Sequence, residues 1–293
     1  MERLLRTSML LAAVFSVFSL APQAQEAGSD VVVISTGLEG GGYWSAGERL
    51  RAVAEGLDFE VRVEASQGSL NNLQRLLDPA DEVNLALAQA DALQYHLDKN
   101  PGSGAALEVL ENIGQECVFI LSGSSSSIRT DADLHAGGSR LGISSPDSGI
   151  AVTWEYMKTL TPELANTTVV YTDTSEAMVT LNAQDRLVDA VMLVHRPKAH
   201  SSEVDRAMAN LAEYNFVKMR DPRLSAALPS GDAVYQALDL AMPRGGGEGR
   251  HLVKTICVKG LLLANRDKLS TEQRGKLTDV VNYHWMRVYD TGG

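Results

Sequence analysis

The chain has 293 residues, with 26 basic and 37 acidic side chains and a net charge of −11. That balance excludes a broad nucleic-acid surface, although a local group of donors can still hold a small anion. The length suffices for two lobes with proper cores.

Arg3 and Arg6 precede an uncharged run from Met9 to Ala21, and small residues follow it. This is the pattern of a secretory signal peptide, expected at 1–24 with cleavage after Ala21, Ala24 or Ala27. The run is too short to cross a bilayer, and no cysteine follows it for lipid attachment. The expectation is a periplasmic monomer without stable membrane insertion.

Residues 31–34 read as a buried strand that runs into a glycine loop at 40–42 and then a helix, with Leu50, Val53, Ala54 and Leu57 on one face. The helix start presents unpaired N–H groups and about half a positive charge to the loop, a setting for a carboxylate or phosphate. The plainer reading is that the glycines only ease the turn. Residues 59–65 alternate as a half-covered strand, and Ser69 is placed to cap a helix bearing Leu70, Leu73, Leu76 and Leu77. A third unit follows, with a strand at 83–88, a loop at 89–91 and Ala92, Leu93 and Leu97 on a short helix. Three such units imply parallel strands with right-handed crossovers, so their loops emerge at one carboxyl edge, where open α/β sheets bind ligands.

After a break at 100–104, residues 117–121 form a strand, and the polar stretch 122–128 reads as the passage into a second lobe. Strands at 140–143, 168–171 and 188–194 follow, with a helix placing Ile150, Trp154 and Met157 inward and another capped by Ser175 with Met178 and Leu181 buried. Residues 215–219 read as a return strand, 242–249 as irregular and 254–264 as a long strand. Ser270 to Gln273 has capping-box spacing ahead of a closing helix striped by Leu277, Val280, Val281, Trp285 and Val288. The expected fold is α/β and two-lobed, with lobe I at 30–121 and 220–293, lobe II at 122–219 and a ligand cleft between them. Cys117 and Cys257 lie in apolar runs, either as a disulfide or as two buried thiols.

Four stretches together resemble the TAXI family of solute-binding proteins that serve TRAP transporters. They are Ser35-Thr-Gly-Leu-Glu-Gly-Gly-Gly-Tyr-Trp-Ser-Ala-Gly47, Gln67-Gly-Ser-Leu-Asn-Asn-Leu73, Leu85-Ala-Leu-Ala-Gln-Ala-Asp91 and Gly142-Ile-Ser-Ser-Pro-Asp-Ser-Gly149. Asp147 stands where that family usually has glycine, and Trp44 where it more often has tyrosine. The resemblance implies a type II periplasmic binding protein fold, a small organic solute such as an amino acid (glutamate or glutamine) or carboxylate, and TRAP permease subunits as partners.

Candidate ligand-binding residues are Gly40, Gly41, Gly42, Tyr43, Trp44, Ser69, Asn72, Gln89, Asp91, Ser145, Ser148, Gly149 and His195. Tyr43 and Trp44 could cover a ligand or pack in the core. Ser69 could cap its helix and present a hydroxyl; Asn72 could face the same edge. Gln89 both donates and accepts. Asp91 could pair an ammonium or cap a helix. Ser145, Ser148 and Gly149 form an opposing jaw with backbone N–H groups, and His195 ends a strand facing it. His195 and His200 are five apart and do not share a helix face, so no metal or cofactor is expected. No Gly-x-Ser-x-Gly elbow, Ser-x-x-Lys or His-Glu-x-x-His appears, which argues against an enzyme; a ligand-sensing subunit for a membrane kinase is the other reading.

Overall fold

The computed structural model describes residues 31–197, 201–245 and 249–288. The signal peptide and its cleavage point, His200 and part of the stretch at 242–249 lie outside them. In chain order the elements are β1 (Val32–Ser35), α1 (Gly42–Glu55), β2 (Val61–Glu64), α2 (Ser69–Leu77), β3 (Leu85–Gln89), α3 (Ala90–Lys99) and β4 (Leu107–Gly123). Then come α4 (Asp131–His135), β5 (Arg140–Ile143), α5 (Gly149–Leu160), β6 (Thr168–Tyr171), α6 (Thr174–Val179), β7 (Ala190–His195), α7 (Ser202–Ala209) and β8 (Tyr214–Phe216). The chain closes with β9 (Tyr235–Pro243), β10 (Arg250–Asn265), α8 (Thr271–Asp279), a π turn over Val280–His284 and α9 (Trp285–Val288).

The strands hydrogen-bond in the order β2-β1-β3-β10-β4-β7-β5-β6, with β8 on β4 and β9 on β10. Within each end the strands are parallel: β1 with β2 and β3, and β5 with β6 and β7. The two ends are joined by β4 and β10, which run antiparallel from Cys257 opposite Cys117 to Asn265 opposite Leu107. β4 then pairs with β7 from Cys117 to Ser122, so the strand itself carries the chain from one end to the other. Residues 122–128 turn back beyond that point, with Ser122 Oγ donating to Ile128 O at 2.7 Å.

Each end has two core layers because its strands are covered on both faces, which is why they read as continuous apolar runs. Val32, Ile34, Leu85 and Leu87 pack with α1 residues Leu50 and Val53 and with Leu277, Val280 and Val288 of the closing helices. Val33, Ala86 and Ala88 face Leu73 and Leu76 of α2. At the other end Val118 and Ile120 meet Trp154 and Met157, while Phe119 and Leu121 meet Met178, Val191 and Phe216. α1 lies so close to its strands that a methyl group on Gly47 would be 2.6 Å from Thr36 Cγ2.

Two caps and one boundary differ from expectation. α6 is capped by Asp173, whose carboxylate accepts from the Glu176 N–H, rather than by Ser175; Ser175 Oγ donates instead to Glu203 Oε1. Ser69 is the first residue of α2, and Gly68 holds the cap position. Met242 and Pro243, expected in a loop, belong to β9 because the ladder with β10 extends to Pro243 opposite Arg250. The capping box at Ser270 and Gln273 forms as the spacing requires. Among the described residues no helix is long and apolar enough to cross a membrane.

Cys117 and Cys257 form a disulfide across the central pair of strands, linking residues 140 apart in sequence. Closing so long a loop restricts the unfolded chain, typically worth about 2–5 kcal/mol. The Cys117→Ser, Cys257→Ser double variant should lose stability of this order in urea unfolding, and a reducing agent should shift the parent's midpoint in the same direction.

Candidate functional site

The carboxyl ends of both parallel sets converge. At the β1 end, Gly40 takes φ 78°, Gly41 N donates to Leu38 O at 3.0 Å and Gly42 opens α1. The next residue, Tyr43, points inward over β10 and donates from its hydroxyl to Glu116 Oε2 at 3.4 Å. It fits there because Gly260 lies below; a methyl at that position would be 3.4 Å from the phenol oxygen. Trp44 is partly buried beside it.

Gln89 ends β3 opposite Gly260, and its side chain hydrogen-bonds Glu116. Ser69 Oγ accepts from Gln89 N at 3.1 Å and donates to Gln89 Oε1 at 3.4 Å. The hydroxyl expected to cap α2 therefore positions the end of β3. Gly68 holds the cap with φ 131°, a conformation that favours glycine.

From the other end, Ser148 caps α5: its Oγ accepts from Ala151 N at 3.2 Å and donates to Ser145 O at 2.7 Å. Ser145 itself is exposed. Gly149, the first residue of α5, meets the opposite jaw directly. A methyl on Gly68 would lie 3.3 Å from Gly149 N, and one on Gly149 would collide with Gln89 Oε1. The two sets of loops are thus in contact, backbone to backbone. His195 ends β7 with Nδ1 3.0 Å from Arg196 O. Arg196, the following residue, reaches toward the glycine loop, its Nε 3.9 Å from where a methyl on Gly42 would sit.

Asn72 and Asp91 lie beneath this cluster. Asn72 is fully buried; its Nδ2 donates to Thr36 O and Leu87 O, and its Oδ1 accepts from Ser35 Oγ at 2.6 Å, which ties α2 to β1 and β3. Asp91 sits in the first turn of α3 rather than before it. Its Oδ2 accepts from Thr153 Oγ1 and from the Tyr235 hydroxyl, each at 2.7 Å, so one buried carboxyl joins α3 to α5 and β9.

Glu116 and Arg196 did not stand out in the sequence. Glu116 is one position before the apolar run of β4, and Arg196 follows the buried strand that led to His195. The available signal was a single charge at each end of an apolar run.

The model of the NMT1-like family matches residues 34–280. The chain belongs to that family. Among solved structures, this NMT1-like chain is similar to XAC2383 from Xanthomonas citri, bound to chloride ion, with 11% identity over 90% of this chain and 91% of that one and a TM-score of 0.54. It is also similar to a protein from Bordetella bronchiseptica RB50, with 12% identity over 86% and 70% and a TM-score of 0.50. Among curated proteins, no sequence matches. The architecture is the two-lobed α/β fold of periplasmic binding proteins.

Burial dominates the electrostatics of the site in this NMT1-like chain. It pushes the Glu116 carboxyl up to about 7, with Arg196 opposing the rise and Asp91 adding to it. Burial, then the charges of Glu116 and Asp91, raise the Tyr43 phenol well above its ordinary value. Asp91 is likewise raised by burial, offset by the hydroxyls of Thr153 and Tyr235. A carboxyl whose pKa is higher folded than unfolded holds its proton more tightly in the native state. Its contribution to stability therefore falls as pH rises from about 4.3, the unfolded value, and levels off above the folded one. Unfolding at pH 5 and pH 8 should show a smaller loss of stability in Glu116→Gln than in the parent. Asp91→Ala should cost roughly 1–3 kcal/mol, since it leaves two buried hydroxyls without their acceptor; a Thr153→Val, Asp91→Ala double variant should recover part of that loss in the same assay.

Proposed function

We propose that this protein is a periplasmic solute-binding protein that captures a small organic ligand carrying a carboxylate, an amino acid in the first instance, by closing its two lobes. The observation that carries this reading is the convergence of Tyr43, Ser69, Gln89 and Gly149, from turns far apart in sequence and from both parallel sets, on Glu116 and Arg196. Membership of the NMT1-like family and the two-lobed fold support it.

The chemistry suits a zwitterion. Arg196 and the N–H groups at the starts of α1 and α5 favour carboxylate oxygens, through charge and through helix-end donors. Glu116, once ionised, would pair an ammonium, while Gln89 and Tyr43 add directional hydrogen bonds. An approaching cation favours the ionised carboxyl and so offsets the burial that raises Glu116. Opening would separate Gly68 from Gly149 and free Asp91 from Thr153. Closure restores these contacts and excludes water from the ligand. No bond needs to be made or broken.

The four stretches that resemble TAXI proteins support delivery to a TRAP-type permease. A ligand-sensing subunit for a membrane kinase would use the same site and differ only in its partner.

Thermal unfolding with a panel of amino acids and dicarboxylates tests the reading. A ligand at 100 times its dissociation constant stabilises by about 2.7 kcal/mol, so at least one panel member should raise the melting temperature. Arg196→Ala should abolish the response to every member. Glu116→Gln should weaken the response to amino acids and spare that to dicarboxylates. If both variants respond like the parent, the site lies elsewhere.

A further inference from the structure

Around the first half of β10 and the segment 216–220, the surface reverses the sign of the molecule as a whole. Lys218, Arg220, Arg244, Arg250, His251 and Lys254 line one groove of about 390 Å³, floored by Phe216 and Val253. A second of about 410 Å³, between Met219 and residues 237–239 of β9, continues it and shares Arg220 and Lys254. In a chain of net charge −11 such a concentration of cations is not a consequence of composition. Among the described residues, Lys218, Arg220 and Arg244 take part in no side-chain ion pair; Lys254 meets Asp239 at 2.9 Å. Burial, followed by the nearby charges of Arg244 and Lys218, holds His251 below the usual histidine range.

The backbone beside these cations is also unfinished. β10 pairs with β9 from Arg250 to Val258, but its other edge meets β4 only from Cys257 onward. Between Arg250 and Ile256 that edge carries, among the described residues, one main-chain hydrogen bond, from Met219 N to Lys254 O at 3.1 Å; Val253, Thr255 and Ile256 are buried, so its accessible part is Arg250 to Leu252. An open strand edge offers N–H and C=O groups to an added strand. Leu252, 52% exposed on the same stretch, offers an apolar contact.

We propose that this trough docks an extended acidic segment of a protein partner, which adds to the open edge of β10 and sets its carboxylates against Lys218, Arg220, Arg244 and Arg250. A compact anion such as phosphate would use the charges but has no use for an open edge, an exposed leucine or two grooves end to end. None of the residues lining the trough belongs to the cluster around Glu116, so the proposal does not depend on what that cluster binds.

The test uses the full chain and a fluorescein-labelled Glu-Leu-Glu-Val-Glu-Leu-Glu peptide, read by fluorescence anisotropy at low salt. The peptide should bind, and its lysine counterpart should not. A version with proline at alternate positions, lacking main-chain donors, should bind weakly. The Arg220→Glu, Arg250→Glu double variant should weaken the acidic peptide by about tenfold or more, the size expected from two reversed surface charges. Lys218→Glu serves as a second variant, with circular dichroism to confirm folding. Absence of binding to the parent overturns the proposal. So does equal binding of the proline version, or complete displacement by tripolyphosphate at concentrations equal to the peptide's, which would identify a small-anion site. The thermal response to solutes should be unchanged in these variants, so failure here is distinguishable from failure of the solute reading.

Discussion

The architecture depends on two long antiparallel strands, β4 and β10, bonded to each other through the middle of the molecule and to different partners at their two ends. β10 meets β9 with its first half and β3 with its second; β4 meets β10 with its first half and β7 with its second. A strand that changes partners part-way must accommodate the difference in twist between two sheets, and the register shifts after Gly260 and Leu262 do so. The disulfide sits where the exchange occurs. It fixes the register of the pair while leaving the strands on either side free to bend.

That crossing brings the charged groups of the site together. Glu116 is next to the disulfide on β4, and Gln89 reaches it from β3 because Gly260 leaves the intervening strand without a side chain. Tyr43 covers the same gap from above. The result is a carboxyl held by a phenol and an amide in a poorly solvated place, with a guanidinium from the other end of the sheet nearby. In such surroundings each charge acts strongly on its neighbours.

Asp91 has a different part. Its hydrogen bonds to Thr153 and Tyr235 are the polar centre of an otherwise apolar contact between α3 and α5, where Ala90 and Tyr95 pack against the core of the second half. A buried carboxyl satisfied only in one relative placement of two helices discriminates against neighbouring placements, since each would leave a polar group without a partner. The contact therefore selects one relative placement of α3 and α5 rather than a range of them.

Local pattern determined much of this molecule without help from the fold. The apolar runs of β1, β3 and β7, the stripe of α1 and the capping box at Ser270 are all short-range signals, and each produced the element its spacing implied. The glycines at 40–42, 68 and 149 marked turns at strand ends. The sequence could not show that Cys117 would face Cys257, that Gly260 would make room for Tyr43, or that Glu116 would lie within reach of the charge of Arg196. Those are matters of register between strands distant in the chain, and a register is decided only when both faces of the sheet are packed. Ser69 and Asp91 illustrate the same limit: each stood where a helix cap was expected, and each turned instead to a partner that only tertiary packing supplied.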